Sequence, residues 1–353
     1  MGVAAGLPQT SPHPEDERLA HVGLLARFFQ RPEIGAMVGV VAVFILFTST
    51  ASGFANLDGF ARWSDEASNL GMMAVVVSLL MIGGEFDLSA GVMVGSSGLL
   101  LGLLVTRVHL SILPAIVLVL LFGATIGLVN GALVTKTRLP SFIVTLATFF
   151  VLQGLNLGGT LAITGAVYVS DIDRAHGYGW ARRLLAATVW SPHDYQVRVF
   201  WWLGELAIAT WVLTRTRVGN WIFAVGGDAA AARAVGVPVT RTKIGLFITT
   251  SIVASLLGVM TAVNLRSIQA GQGVGREFYY IIAAVVGGCL LTGGFGSAIG
   301  GSLGALIIAM AEIGIPYSGW DSDWSFLFLG VILLLAVLLN TAIRRRAEAS
   351  GRH

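Results

Sequence analysis

Histidine, cysteine, lysine and acidic side chains are the groups that could do chemistry in this chain, and their placement argues against most of it. The 6 histidines (His13, His21, His109, His176, His193 and His353) all fall outside the apolar stretches. None has a metal-ligating neighbour three or four residues away, the spacing that puts two ligands on one helix face. Cys289 stands alone in an apolar run, so neither a disulfide framework nor a CxxC metal site is available. Lys136 and Lys243, the only lysines, follow no glycine-rich run of the kind that cradles phosphate. Ser-Gly pairs such as Ser97-Gly98 lack the flanks of a nucleophile elbow. The expectation is a chain that is not an enzyme, with no catalytic residue, no metal and no cofactor of its own.

Ion or proton coupling would use ionisable groups inside apolar spans, where a charge is costly and is kept for a purpose. Glu205 is the one acid well within a predicted span, and it reads equally as an interfacial or bundle-facing side chain. The segment GGEFDLSAG at 83–91 is more informative. Its glycines release a helix, and Asp87 or Ser89 can cap the next one by accepting its orphan amide hydrogens. Irregular backbone at membrane depth is tolerated only inside protein or along a water-filled path. Two readings stay open here, a cytoplasmic turn with a helix cap and a place on a solute pathway. Polar neutral residues in or beside the spans include Asn130, Gln153, Asn156 and Asn264. With Asp87 and Ser89 they are the candidates for a translocation path, since neutral hydrogen-bonding groups suit an uncharged polyhydroxy solute better than an ion. Each alone is more often interhelical glue than ligand.

The elements that must position these groups follow from composition. Of 353 residues 55% are hydrophobic and only 12% charged, with a mean hydropathy of +0.81. Soluble domains carry roughly 25% charged residues, and a spanning helix needs about 20 apolar ones. The chain is therefore read as all-α and polytopic, with about ten transmembrane helices near 34–54, 67–84, 89–106, 110–134, 141–161, 199–214, 244–264, 279–291, 296–314 and 324–341. Residues 1–33 read as a polar cytoplasmic tail, 34–341 as the membrane domain and 342–353 as a basic cytoplasmic tail. Small-xxx-small pairs such as Gly123/Gly127 and Gly127/Gly131 predict close helix packing. With both termini inside, most basic residues fall on the cytoplasmic side, among them Lys136, Arg138, Arg215, Arg217, Arg233, Arg241 and Lys243. The net charge of +3 is thus loop charge that sets orientation rather than a nucleic-acid footprint. Acids such as Asp58, Asp65, Glu66 and Glu312 fall outside, as does the long segment 162–198. Glu85-Phe86 and Glu277-Phe278 open two apolar runs that end in small-residue pairs at the same spacing, one entering from each side. That echo suggests an inverted repeat.

The cytoplasmic loop 215–243 carries the clearest signal. Asp228, after Gly226-Gly227, reads as the N-cap of a short helix over Ala229 to Ala234, stopped by Gly236 and Pro238. A compact, small-faced helix with firm start and stop signals reads as a docking element for a partner subunit, against a plain connector. The candidate contacts are Gly227, Asp228, Ala231, Ala232, Arg233, Gly236 and Val237.

At three blocks the chain resembles the permease subunits of bacterial ATP-binding cassette importers for monosaccharides, the ribose/xylose/galactoside/autoinducer-2 permease family. These are GGEFDLSAGVMVGSSG, GLVNGALVTKTRLPSFIVTLATFFVLQGL and GNWIFAVGGDAAAARAVGVPVTRTK. The likeness spans roughly 35–341, with Glu85-Phe86 where the family has a single apolar residue and Asp228 where it often has Asn. It implies a bacterial inner-membrane importer permease, paired with a second permease (a like copy or a close paralogue). ATP and Mg would sit on a partner ATPase, and an extracytoplasmic solute-binding protein would deliver sugar. It makes 228–236 the coupling helix and keeps lipid, not nucleic acid, as the surroundings. Two rivals remain, a branched-chain amino-acid importer permease and a proton-coupled carrier that works alone.

Overall fold

The computed structural model describes residues 32–350, with side chains from 33 to 338. The predicted tail 1–33 therefore lies almost wholly outside the described residues. Helices dominate: α1 Pro32–Thr50, α2 Leu57–Ile82, α3 Ala90–Thr106, α4 Ile112–Thr137 and α5 Ser141–Gly154. A π-helical turn at Leu155–Gly159 carries α5 into α6 Thr160–Thr164. There follow α7 Tyr178–Leu185, α8 Arg198–Arg215, α9 Arg217–Gly227, α10 Ala229–Ala234 and α11 Val239–Leu265. The chain ends with α12 Arg276–Val286, α13 Ala298–Tyr317 and α14 Trp324–Ser350. Among the described residues, six helical stretches are long and apolar enough to cross a membrane. The remaining predicted spans fall on α3, α8, α12 and α14.

Boundaries moved where polar residues sit inside helices. α2 begins at Leu57, not near 67, because Asn56 caps it by accepting the Gly59 N–H at 2.7 Å. The helix thus takes in Asp58, Arg62, Asp65 and Glu66. Those acids are paired across elements: Arg198 meets Asp65 at 2.6 Å, and Arg276 meets both Glu66 and Glu312 at 3.0 Å. α12 is shorter than predicted, about 16 Å of helix for its 11 residues. Gly287-Gly288 ends it, since Gly288 takes a φ of 93° that side chains resist. α14 continues as helix to Ser350, through most of the predicted basic tail.

α2 is the axial helix. Its half from Leu70 to Ile82 is buried without interruption among α8, α11, α12 and α13. Glycines let its neighbours close up. Along α4, Gly123, Gly127 and Gly131 lie flat on α11, where an added Cβ would collide with Ser255, Ile248 and Ile244. The predicted small-residue packing is what holds this pair. The segment 162–198 is not a plain loop. Its strand Tyr168–Val169 pairs with Ile268–Gln269, and a second small hairpin joins Thr188–Val189 to Tyr195–Gln196.

Candidate functional site

The break between α2 and α3 is built from the backbone outward. α2 stops in paired turns: Gly83 donates to the Leu79 carbonyl, Gly84 to Met81 and Glu85 to Leu80. α12 stops in the same way, with Gly287, Gly288 and Cys289 donating to Ala283, Val285 and Ala284. Beyond Gly84 the chain has no regular structure through Asp87 and turns at Leu88–Ser89, and α5 supplies two of its missing partners. Phe86 N–H donates to Ser141 Oγ at 3.0 Å and Leu88 N–H to Thr145 Oγ1 at 3.1 Å.

Asp87, Ser89 and Asn130, proposed separately from sequence, come together here. Ser89 donates its N–H to Asp87 Oδ1 at 2.8 Å and its hydroxyl to the same oxygen. Asn130 Nδ2 donates to Ser89 Oγ at 3.1 Å, and Thr148 Oγ1 donates to Asn130 Oδ1 at 2.6 Å. This corrects the capping expectation. Asp87 holds Ser89 and reaches no first-turn amide of α3, and Ser89 makes no side-chain cap bond. Sequence reading passed over Ser141 and Thr148. Their spacing with Thr145, at i, i+4 and i+7, puts three hydroxyls on one face of α5 and was the available signal.

Further along the same helix, the Gln153 Oε1 and Asn156 Nδ2 atoms are buried without a hydrogen-bond partner, as is Asp87 Oδ2. Buried polar atoms are normally paired, so these three leave hydrogen-bonding capacity open. Asn264 stands apart, exposed near the far end of α11. Glu205 keeps both carboxyl oxygens buried and unpartnered against an apolar cleft between α8 and α11.

Two helix starts meet within the bundle. A Cβ on Gly91, in the first turn of α3, would strike Glu277 at the start of α12 and the Gly273 carbonyl. Of the two acids in the Glu85/Glu277 echo, Glu85 lies in the break between α2 and α3 and Glu277 in the first turn of α12.

At the basic end, the predicted short helix is present as α10. Asp228 Oδ1 accepts the N–H groups of Ala230 and Ala231 at 2.8 and 3.0 Å. Those bonds, Ala231's first and then Ala230's, hold its carboxyl below the usual range. The stop is a Schellman motif. Val237 N–H returns to the Ala232 carbonyl and Gly236 N–H to Arg233, with Gly236 at a φ of 86°. Gly227, Asp228, Ala231, Arg233 and Gly236 are exposed and Val237 is half-buried. Ala232 instead packs inward with Val225 and Val239, so it anchors the helix. Val235, which sequence reading omitted, is 80% exposed, an apolar side chain held out beside the helix end. Most of the predicted loop is helical, since α9 fills Arg217–Gly227 and α11 starts at Val239 rather than 244.

The last turn of α9, which leads through Asp228 into α10, ends in a backbone junction. A Cβ on Gly226 would overlap the Ile82 carbonyl at the end of α2, and Gly294 N–H donates to that carbonyl at 2.8 Å. A Cβ on Gly293 would in turn press on Gly84 and Gly226. Three glycine pairs, 83–84, 226–227 and 293–294, thus touch without side chains between them.

The helical bundle, with six stretches apolar and long enough to cross a membrane among the described residues and an interruption between α2 and α3, is that of a polytopic membrane protein. The chain belongs to the family described as Branched-chain amino acid transport system / permease component, whose model matches residues 59–337. It is 30% identical over 321 residues to the ribose import permease protein RbsC of Escherichia coli strain K12, covering 89% of this chain and 96% of that protein. It is 32% identical over 320 residues to the probable ABC transporter permease protein YphD of the same strain, covering 91% and 92%. To that strain's xylose transport system permease protein XylH it is 26% identical over 365 residues, covering 88% and 92%. No solved structure matches this chain at a significant level. It is a multi-pass membrane transport subunit, not an enzyme.

Proposed function

We propose that this chain is the membrane subunit of an ATP-driven importer and forms the path for a small polar solute, foremost a monosaccharide. The observation that carries the reading is α10, capped at both ends and joined through Asp228 to the end of α9, which abuts α2 and the 288–296 connection. In this reading Gly227, Asp228, Ala231, Arg233, Gly236 and Val237 present the docking surface to an ATP-binding cassette ATPase, which carries ATP and Mg. Ala232 supports them from below. Closure of two such ATPases favours one state of a permease pair over the other, and that difference in affinity drives the change of access. Asp87, Ser89, Asn130, Gln153 and Asn156 line or border the path, and Asn264 lies near its outer end.

The basic end faces the cytoplasm, both termini lie there, and 162–198 faces outward toward a solute-binding protein. The second permease is a like copy or a close paralogue, and lipid covers the remaining apolar faces. The relatives named for ribose and xylose support a sugar over the amino acids of the family's description. So do the neutral hydroxyl and amide groups of that path, which with Asp87 make a polar lane of Ser89, Asn130, Gln153 and Asn156.

Purification of the chain from its own host membranes tests this reading. Recovery of an ATP-binding cassette ATPase together with a solute-binding protein is the expected result, and that binding protein can be screened against sugars. Recovery of the chain alone, transporting under a proton gradient after reconstitution, would overturn it.

A further inference from the structure

We infer that the ion pair between Glu85 and Lys243 is the positioning element that ties the docking helix to the solute lane; the inference rests on the importer reading above. Glu85 is the first residue of the break beyond Gly84, and its side chain is 7% exposed. Lys243 Nζ donates to Glu85 Oε1, and it does so from the second turn of α11. Few soft links separate Lys243 from α10. The Schellman stop at Gly236 and Val237 leads through Pro238 directly into α11, so a displacement of α10 carries Lys243 with it.

On the other side, Glu85 is followed at once by the two amides that bind Ser141 and Thr145, and then by Asp87 and Ser89. Pulling on Glu85 therefore moves the backbone that organises the lane. At the glycine junction α9 meets α2 through close contacts, which push and do not pull, and the hydrogen bond there, Gly294 N–H to the Ile82 carbonyl, ties the 288–296 connection rather than α9 to α2. A charge-assisted bond between shielded groups also resists separation. The pair lies at the edge of a cavity of about 460 Å³ that also meets Arg138 and Arg233. Glu85 is the single acid among that cavity's lining residues, so no second carboxylate there replaces it. The two residues were read separately from sequence, Lys243 in the basic cytoplasmic loop and Glu85 in the glycine break and its echo at Glu277, and nothing in their spacing pairs them.

The test uses the full assembly in proteoliposomes, with uptake and ATP hydrolysis measured together. Glu85→Gln and Lys243→Met are each expected to keep the ATPase bound and hydrolysing while uptake per ATP falls about tenfold. The exchanged chain, Glu85→Lys with Lys243→Glu, is expected to recover uptake per ATP to within about threefold of wild type. A purely structural role would lower accumulation of the assembly and leave uptake per ATP unchanged in what remains. If the single variants accumulate poorly, the exchanged chain carries the decision, because it retains both charges. Normal accumulation of the exchanged chain with uptake per ATP as low as in the single variants would overturn the inference. Single variants with wild-type uptake per ATP would overturn it too. A wild-type assembly with no ATP-driven uptake would instead overturn the importer reading, and the positioning role with it.

Discussion

The glycine junction at the end of α9 and the hydroxyl-lined face of α5 hold opposite ends of one short break, and they are built by opposite rules. At the junction, backbone meets backbone: Gly226 against the Ile82 carbonyl, Gly293 against Gly84. Nothing there can change rotamer, so any shift of the α9 end that leads into α10 must move α2 or the 288–296 connection. Along α5 the contacts are side chains, and some polar atoms have no partner at all, as with Gln153 Oε1 and Asn156 Nδ2. A region with no slack transmits displacement, and a region with spare hydrogen-bonding capacity accommodates a guest. The division matches a transporter in which force enters at one end of the break and solute passes the other.

The sharpest way to break that contrast is to add volume at the junction. Gly226→Val has no room beside the Ile82 carbonyl. With overpacking costing about 1–3 kcal/mol or more, membrane accumulation should fall about tenfold by immunoblot. Normal accumulation would show that the junction yields. Next in size are substitutions on the docking surface itself. Ala231→Trp on an exposed face, and Gly236→Pro at a φ that proline cannot adopt, should leave insertion intact and cut uptake about tenfold through lost ATPase docking. Unchanged uptake in both would remove α10 from the coupling route.

The lane should respond differently at its paired and unpaired positions. Asp87→Ala strands the Ser89 N–H and hydroxyl at a cost of about 1–3 kcal/mol, so folded yield should drop several-fold with solute preference kept. A changed preference at normal yield would contradict this. Asn156→Leu removes a buried atom that has no partner, so yield should hold or rise while solute flux falls about threefold. The reverse pattern would assign Asn156 to structure.

The smallest effect belongs to the Asp228 cap. Its carboxyl pKa is depressed on folding, so its stabilisation is present above the ordinary carboxylate range and is lost as pH falls through the depressed value. ATPase co-purification should therefore be flat from neutral pH to about pH 4. Asp228→Asn, another good cap, should change it less than about twofold.

What sequence conveyed depended on whether a residue's neighbours were local. Asp228 and Gly236 act within one short helix, so cap and stop were readable from composition a few residues apart. Asp87, Ser89 and Asn130 were each readable as polar groups in apolar surroundings. Their meeting depends on α4 and α5 folding back beside the break, and no spacing within one segment encodes that. The Asp87 cap expectation failed because the carboxylate is taken up by the Ser89 N–H and hydroxyl, while hydroxyls of α5 take the Phe86 and Leu88 amides. α2 was cut short because Asp65, Glu66 and Arg62 look like loop residues until Arg198 and Arg276 arrive from distant elements to pair the acids. Glycine spacing predicted close packing along α4. It did not disclose that glycines 84, 226 and 293 touch one another.

The most direct test of the account is solute uptake by proteoliposomes holding the chain with its ATPase and binding protein, with ATP or a proton gradient supplied in turn. The account predicts uptake that requires ATP and all three components, is unaffected by dissipating the proton gradient, and is lost with Ala231→Trp. Uptake driven by the proton gradient through this chain alone would contradict it.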